Sequence, residues 1–225
     1  DSKTSDGSGK GSFTSSITGL SPGVTYYVRA YAVNAVGTGY GNQQTFTTAT
    51  ILATLTTTAI SSITPYTAVS GGNITADGGA PVTARGVCWG TSENPTILMS
   101  KSSDGTGTGT FTSNLTDLIP GTTYYVRAYA VNSIGTSYGN QQTFVAPAVA
   151  PTVATSEISS VASTSASGGG VISSTGGGTI TAKGICWSTN QNPTTADFKT
   201  SDASLNILGA NPFDLTSAQA QPITF

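Results

Sequence analysis

The sequence has no histidine, one methionine and two cysteines in 225 residues, and only 8% of it is charged, against about 25% in a typical soluble protein. Without histidine, the commonest general base and metal ligand is missing. The ten acidic residues are scattered, mostly at turns, and neither a G-x-S-x-G elbow nor a phosphate loop occurs. The chain is therefore expected to be no enzyme and to use no cofactor or metal. Eight Lys and Arg, never in a run, leave a net charge of −2 and a pI near 4.8. That speaks against nucleic acid and anionic membrane as partners. The apolar stretches fall far short of the roughly 18 residues a membrane helix needs, so no membrane insertion is expected in this segment.

What is present is Thr, Ser, Asn and Gly, arranged as short alternating runs of Val, Ile, Thr and Tyr between turn residues. That pattern is a strand signal, and no stretch sustains a 3.6-residue apolar period. The fold class expected is all-β. The run "PGVTYYVRAYAVN" (Pro22–Asn34) returns as "PGTTYYVRAYAVN" (Pro120–Asn132), and Tyr26/Tyr124, Phe46/Phe144, Gly71/Gly169 and Cys88/Cys186 all lie 98 residues apart (186 − 88). Residues 1–49 read as the second half of one repeat, 50–148 as a complete repeat, and 149–225 as the first part of a third with an atypical, inserted segment at 204–222. Turn chemistry places strands near 55–60, 68–75, 82–90, 97–102, 110–115, 124–131 and 138–145. Seven short strands in such a length suit a two-sheet sandwich. The joint "VAPAVAP" (Val145–Pro151) is stiffened by its prolines. Asp1 is not an initiator Met and the sequence opens inside a repeat, so the chain reads as a window on a longer polypeptide. The alternative is that half-repeats complete one another between chains.

Gly19–Thr48 and Asp117–Phe144 resemble the second half of a fibronectin type III domain, in the variant found in tandem in large bacterial cell-surface and secreted proteins. The L-x-P-G-x-x-Y signature is met by Leu20, Pro22, Gly23 and Tyr26, and by Leu118, Pro120, Gly121 and Tyr124. The resemblance implies tandem fibronectin type III-like (immunoglobulin-like) β-sandwiches in a rod-like array. It also implies that Tyr26 and Tyr124 are tyrosine-corner residues, each hydroxyl bonded to nearby backbone. The family usually carries a Trp on its second strand; here that strand is Gly-rich and Trp89 and Trp187 lie on the third.

Alternation divides "YYVRAYAV" into an inner set, Tyr124, Val126, Ala128 and Ala130, and an outer set, Tyr125, Arg127, Tyr129 and Val131. On the neighbouring strand Val87 and Trp89 are placed inside, with Gly86 and Cys88 outside under rings from Tyr125 or Tyr129. The rows Tyr27/Arg29/Tyr31 and Tyr125/Arg127/Tyr129 either pack on their own sheet or form an interaction surface for protein or glycan. Cys88 and Cys186 occupy equivalent places in different copies and read as free thiols. The loops Ser5–Phe13 and Ser103–Phe111 hold Asp6 and Asp104 nearly alone, which favours Gly-rich hairpin turns over calcium. The sequons at Asn73 and Asn114 fall in or beside expected strands. The function expected is a non-catalytic structural segment of an extracellular, cell-surface adhesin, stalk or filament. Its partners would be neighbouring repeats, copies of itself in a fibre, or a surface protein or glycan. The alternative is a spacer or carbohydrate-binding accessory of a secreted hydrolase.

Overall fold

The computed structural model describes residues 2–200 and the backbone of Phe213–Asp214. The chain divides into two compact units. One comprises Asp1–Ser62, Thr67–Thr116 and Tyr124–Phe144; the other comprises Ile63–Tyr66, Asp117–Thr123 and Val145–Phe225.

The first unit begins with four short strands, β1 (Thr25–Val28), β2 (Tyr31–Val33), β3 (Thr38–Tyr40) and β4 (Gln44–Thr47). β1 pairs with β4 and β2 with β3, both antiparallel. The complete copy follows as β5 (Thr54–Thr57), β6 (Ala68–Ala76), β7 (Ala84–Gly90), β8 (Ser100–Lys101), β9 (Gly109–Leu115), β10 (Thr123–Asn132), β11 (Gly135–Tyr138) and β12 (Gln142–Val145). One sheet has the order β5-β6-β9 and the other β11-β10-β7-β8, with β12 also on β10. All pairings with a resolved register are antiparallel. This is the strand arrangement of a fibronectin type III-like sandwich, all-β as expected.

The core explains the Gly-rich second strand. Ile74, Val82, Ala53 and Ala130 form one buried cluster, joined by Leu55 and Phe111, and Val87, Val126 and Leu115 are fully enclosed. A Cβ on Gly71 would stand 2.0 Å from the Phe111 carbonyl oxygen, and one on Gly72 would stand 2.7 Å from the Ala128 Cβ. Gly72 on β6 and Ala128 on β10 thus let the two sheets approach closely, while Gly71 is pressed against the backbone of β9 within its own sheet. The bulk comes from β7, where Trp89 is buried opposite Val126.

Four strand boundaries differ from expectation. The first strand stops at Thr57, the third starts at Ala84, and the fourth shrinks to Ser100–Lys101. Ahead of that fourth strand, Pro95 is buried, Met99 N donates to Thr96 O (3.0 Å) to close a turn, and Leu98 is 93% exposed. The strand expected over Tyr138–Val145 is broken: β11 already ends at Tyr138 and β12 starts at Gln142, and between them Gly139 N still donates to Ala128 O (2.9 Å) while residues 139–140 meet β5. Thr57 N donates to Asn140 Oδ1 (3.0 Å), and a Cβ on Gly139 would collide with Thr57 Oγ1 at 2.6 Å.

In the second unit β13 (Thr152–Thr155) pairs with β15 (Gly170–Ser174), β14 (Ser167–Gly168) with β18 (Phe213–Asp214), and β16 (Cys186–Trp187) with β17 (Phe198–Lys199). Phe213–Asp214 faces Gly168 and Ser167, the place Ser113–Asn114 takes against Ser70 and Val69 in the complete copy. The rest of the insertion expected at 204–222 lies outside the described residues.

Candidate functional site

The surface singled out by sequence is the Tyr-Arg-Tyr row of β10. Antiparallel pairing sets Tyr125 opposite Gly90, Arg127 opposite Cys88 and Tyr129 opposite Gly86. Gly86 is required there: a Cβ would stand 2.9 Å from the Tyr129 ring and 2.6 Å from Ser102 O. Tyr129 thus covers a strand glycine, as expected of aromatic residues beside such positions. Its hydroxyl donates to Ser102 O at 2.7 Å. Burial raises its pKa above the usual tyrosine value, with the negative charge of Asp104 adding to the effect. Arg127 donates through Nε to Gly139 O (3.1 Å), and its guanidinium lies 4.7 Å from the Tyr138 ring centre, a cation–π distance. Both side chains are therefore engaged by their own sheet. Tyr125 is half-buried.

The first copy repeats these contacts. Tyr31 donates to Thr4 O (2.6 Å), Arg29 Nε to Gly41 O (3.0 Å), and the Arg29 guanidinium lies 4.7 Å over Tyr40. Tyr27, however, is 70% exposed. A shallow groove is lined by Phe13, Ala30, Tyr31, Ala32 and Tyr40, among others.

Of the two residues expected as tyrosine corners, Tyr26 accepts a hydrogen bond from Ser21 N at 2.9 Å. Tyr26 stacks on Phe46 with ring centres 5.9 Å apart, and buried Tyr124 stacks on Phe144 at 5.7 Å.

The Gly-rich loops use their aspartates internally. Ser102 and Ser113 hydroxyls donate to Asp104 Oδ2, and Ser15 and Thr4 hydroxyls donate likewise to Asp6. Those donors hold the Asp6 carboxyl below its ordinary value, Ser15 most of all. Each carboxylate ties its own loop together, but the loop at Asp104 is not the hairpin turn expected: β8 pairs with β7 and β9 with β6, so it crosses from one sheet to the other. Among the described residues no group of three or more His, Cys, Asp or Glu gathers. Cys88 and Cys186 are free thiols. Cys88 is fully buried, with Sγ 3.3 Å from Pro95 O and 3.4 Å from Arg127 O. Burial pushes its thiol up to about 11, partly offset by the Arg127 charge. Asn73 sits half-buried on β6 between Thr56 and Thr110, and Asn114 lies exposed on β9.

Sequence reasoning missed two sets of residues. Asn132 donates through Nδ2 to Ile51 O (2.8 Å) and Asp77 O (2.9 Å), and its Oδ1 accepts from Ile134 N and Gly135 N. Asn34 caps its own hairpin in the same way, accepting from Val36 N and Gly37 N. The other set is the glycine pairs Gly78–Gly79 and Gly176–Gly177. Both sets recur at the 98-residue offset, which is the signal that could have found them.

No family model matches the sequence, and no curated protein matches it. Among solved structures, the chain is similar to a "myokine structure" (17% identity, 43% of this chain and 99% of that one, TM-score 0.34). It is also similar to the sensor domain of the anti-sigma factor RsgI4 of Pseudobacteroides cellulosolvens (18% identity, 44% and 98%, TM-score 0.34). A third is the chicken CNTN1 FN1–FN3 domains (14% identity, 57% and 45%, TM-score 0.33). At such scores the fold rests on the strand order of the chain itself.

Proposed function

We propose that the chain is a non-catalytic structural segment of an extracellular adhesin, stalk or filament, built from tandem fibronectin type III-like repeats of the bacterial cell-surface kind. The observation that carries this is that two of the three residues of each Tyr-Arg-Tyr row are engaged by their own module. Tyr129 and Arg127 bond to the carbonyls of Ser102 and Gly139, so the residues best suited to bind a partner stabilise the module. The same bonds recur 98 residues earlier at Tyr31 and Arg29. A module that repeats its scaffold and not an open site adds length, with recognition placed elsewhere. Electron microscopy of the native material tests it: successive sandwiches along a fibre or stalk are expected, and a compact particle containing a hydrolase would overturn it.

One observation favours a second function, a carbohydrate-binding accessory of a secreted hydrolase. Tyr27 is 70% exposed, and an exposed amphipathic ring suits stacking on sugar. A glycan array read with the intact chain and with Tyr27→Ala decides it: binding lost in the variant supports a sugar site, and a blank array removes it.

A further inference from the structure

Two contacts at the 98-residue offset join a turn of one copy to a turn of the next. Within the first unit the Pro22–Gly23 turn lies on Gly79. A Cβ on Gly23 would stand 2.5 Å from Gly79 O, and one on Gly79 would stand 2.4 Å from Pro22 O. Within the second unit Pro120–Gly121 lies on Gly177 in the same way, at 2.0 and 2.1 Å. Real Cβ atoms essentially never come within 3.0 Å of another heavy atom, so these four positions admit no side chain. All four also have positive φ, from +69° at Gly23 to +83° at Gly177.

The segment leading from one copy to the next is held at the same places. Ile51 N donates to Gly78 O (2.9 Å), and Val149 N donates to Gly176 O (2.8 Å). A Cβ on Gly78 or Gly176 would lie 2.2 Å from the carbonyl oxygen of Ile51 or Val149 respectively. Asn132 ties Ile51 O to Asp77 O, while Gly121 N donates to Ala146 O at 2.8 Å.

Turn conformation alone does not account for these glycines. Gly105, Gly107 and Gly109 also have positive φ, yet a Cβ on any of them would meet nothing within 4 Å. Those three lie in the connection from β8 to β9 and at its end; the joint glycines serve a contact.

We propose that the Gly–Gly turns at Gly78–Gly79 and Gly176–Gly177 are docking surfaces. Their partner is the Pro–Gly turn of the preceding copy of the same module, together with the segment that leads out of that copy. Backbone packs on backbone at each turn, and a neighbour with a side chain at either turn does not seat. The order of modules along the chain is thereby restricted to those carrying the L-x-P-G-x-x-Y turn. The inference rests on the structural reading of the repeats for its purpose, but its geometry stands apart from it.

Hydrogen exchange of individual amides in the intact chain is the test. Ile51 and Val149 report the two joints, and Val126 on β10 reports the sandwich. Gly79→Ala is expected to speed exchange at Ile51 by about 10-fold or more, leaving Val149 and Val126 unchanged, and Gly177→Ala is expected to do so at Val149 alone. Gly107→Ala is the control, since Gly107 shares the φ of +79° but has open space around it; it should alter neither joint. Exchange at Ile51 within about twofold of the parent in Gly79→Ala, or equal acceleration in Gly107→Ala, overturns the proposal. If Gly79→Ala also strips protection from Val126, Gly23→Ala probes the contact from its other side, and an unaltered Ile51 there overturns the proposal. A protected Ile51 in a chain that also binds glycans would refute the stalk and leave the joint standing.

Discussion

The strands at 25–47 and those at 123–145 spell nearly the same sequence in different surroundings. Both carry the Arg-to-carbonyl bond, the Arg over a Tyr ring and the Tyr–Phe stack, with matching distances. Burial separates them: Phe46 is 37% exposed and Phe144 only 7%. Short-range bonds follow from local sequence, because their partners lie within about one hairpin. Burial requires the opposite sheet, which β5, β6 and β9 supply only to the complete copy. The pair is thus an internal experiment in which local chemistry is constant and the core is the variable.

The largest expected effect tests that variable directly. Phe144→Ala should destabilise by about 3–5 kcal/mol, the cost of emptying a buried aromatic site. Phe46→Ala should cost about 1 kcal/mol, since much of its surface already meets water. Denaturant unfolding of the intact chain and both variants measures the difference; equal costs would erase the distinction between the two regions.

Cysteine extends the comparison to the third copy. Cys88 is fully buried, with its thiol raised from 9.0 to about 11, while Cys186 is half-exposed. A thiol whose pKa is raised on folding stays protonated in the native state while the unfolded chain ionises. Its stabilisation is therefore intact below about pH 9 and is lost as pH climbs towards 11. Stability should fall more steeply across that window in the parent than in Cys88→Ala. A thiol reagent at pH 8 should modify Cys186 first and reach Cys88 only on unfolding. Equal rates would mean that the β7 position is open in solution.

Much of the sandwich was legible in the sequence, and the reason is local. The P-G and Gly-rich turns, the alternation along Thr123–Asn132 and the pairing of Tyr129 with Gly86 all depend on neighbours in sequence or on one adjacent strand. What was not legible depends on the far sheet or the next copy. The break at Gly139–Gln141 arises because Thr57 reaches Asn140, 83 residues away. The joint glycines look like ordinary turn glycines until the preceding Pro–Gly turn is placed on them. Of the candidate surface, the spacing of the Tyr-Arg-Tyr row was legible. Its engagement by backbone carbonyls was not, because Ser102 and Gly139 carry no side-chain signal for it.

A smaller effect separates the tyrosine hydroxyls. Tyr129→Phe removes a bond to Ser102 O made by a buried ring and should cost about 1 kcal/mol. Tyr31→Phe removes the corresponding bond to Thr4 O at a half-buried site and should cost less. Tyr124→Phe, at the corner of the complete copy, should cost about 1–2 kcal/mol. An unchanged unfolding midpoint in Tyr124→Phe would remove the corner assignment.

The smallest expected effect is the most diagnostic of local chemistry. Lysine keeps the charge of arginine but not the planar group that donates through Nε while lying over a ring. Arg127→Lys gives up both the Gly139 carbonyl bond and the Tyr138 contact, and Arg29→Lys gives up the same pair at Gly41 and Tyr40. Each should lose about 0.5–1 kcal/mol, because a partly exposed cation–π contact and one hydrogen bond are individually modest. The two losses should match within about 0.5 kcal/mol. A much larger loss at Arg127 would mean that its contacts draw strength from the enclosed sandwich, so that even these bonds are set by the far sheet and not by the hairpin that encodes them.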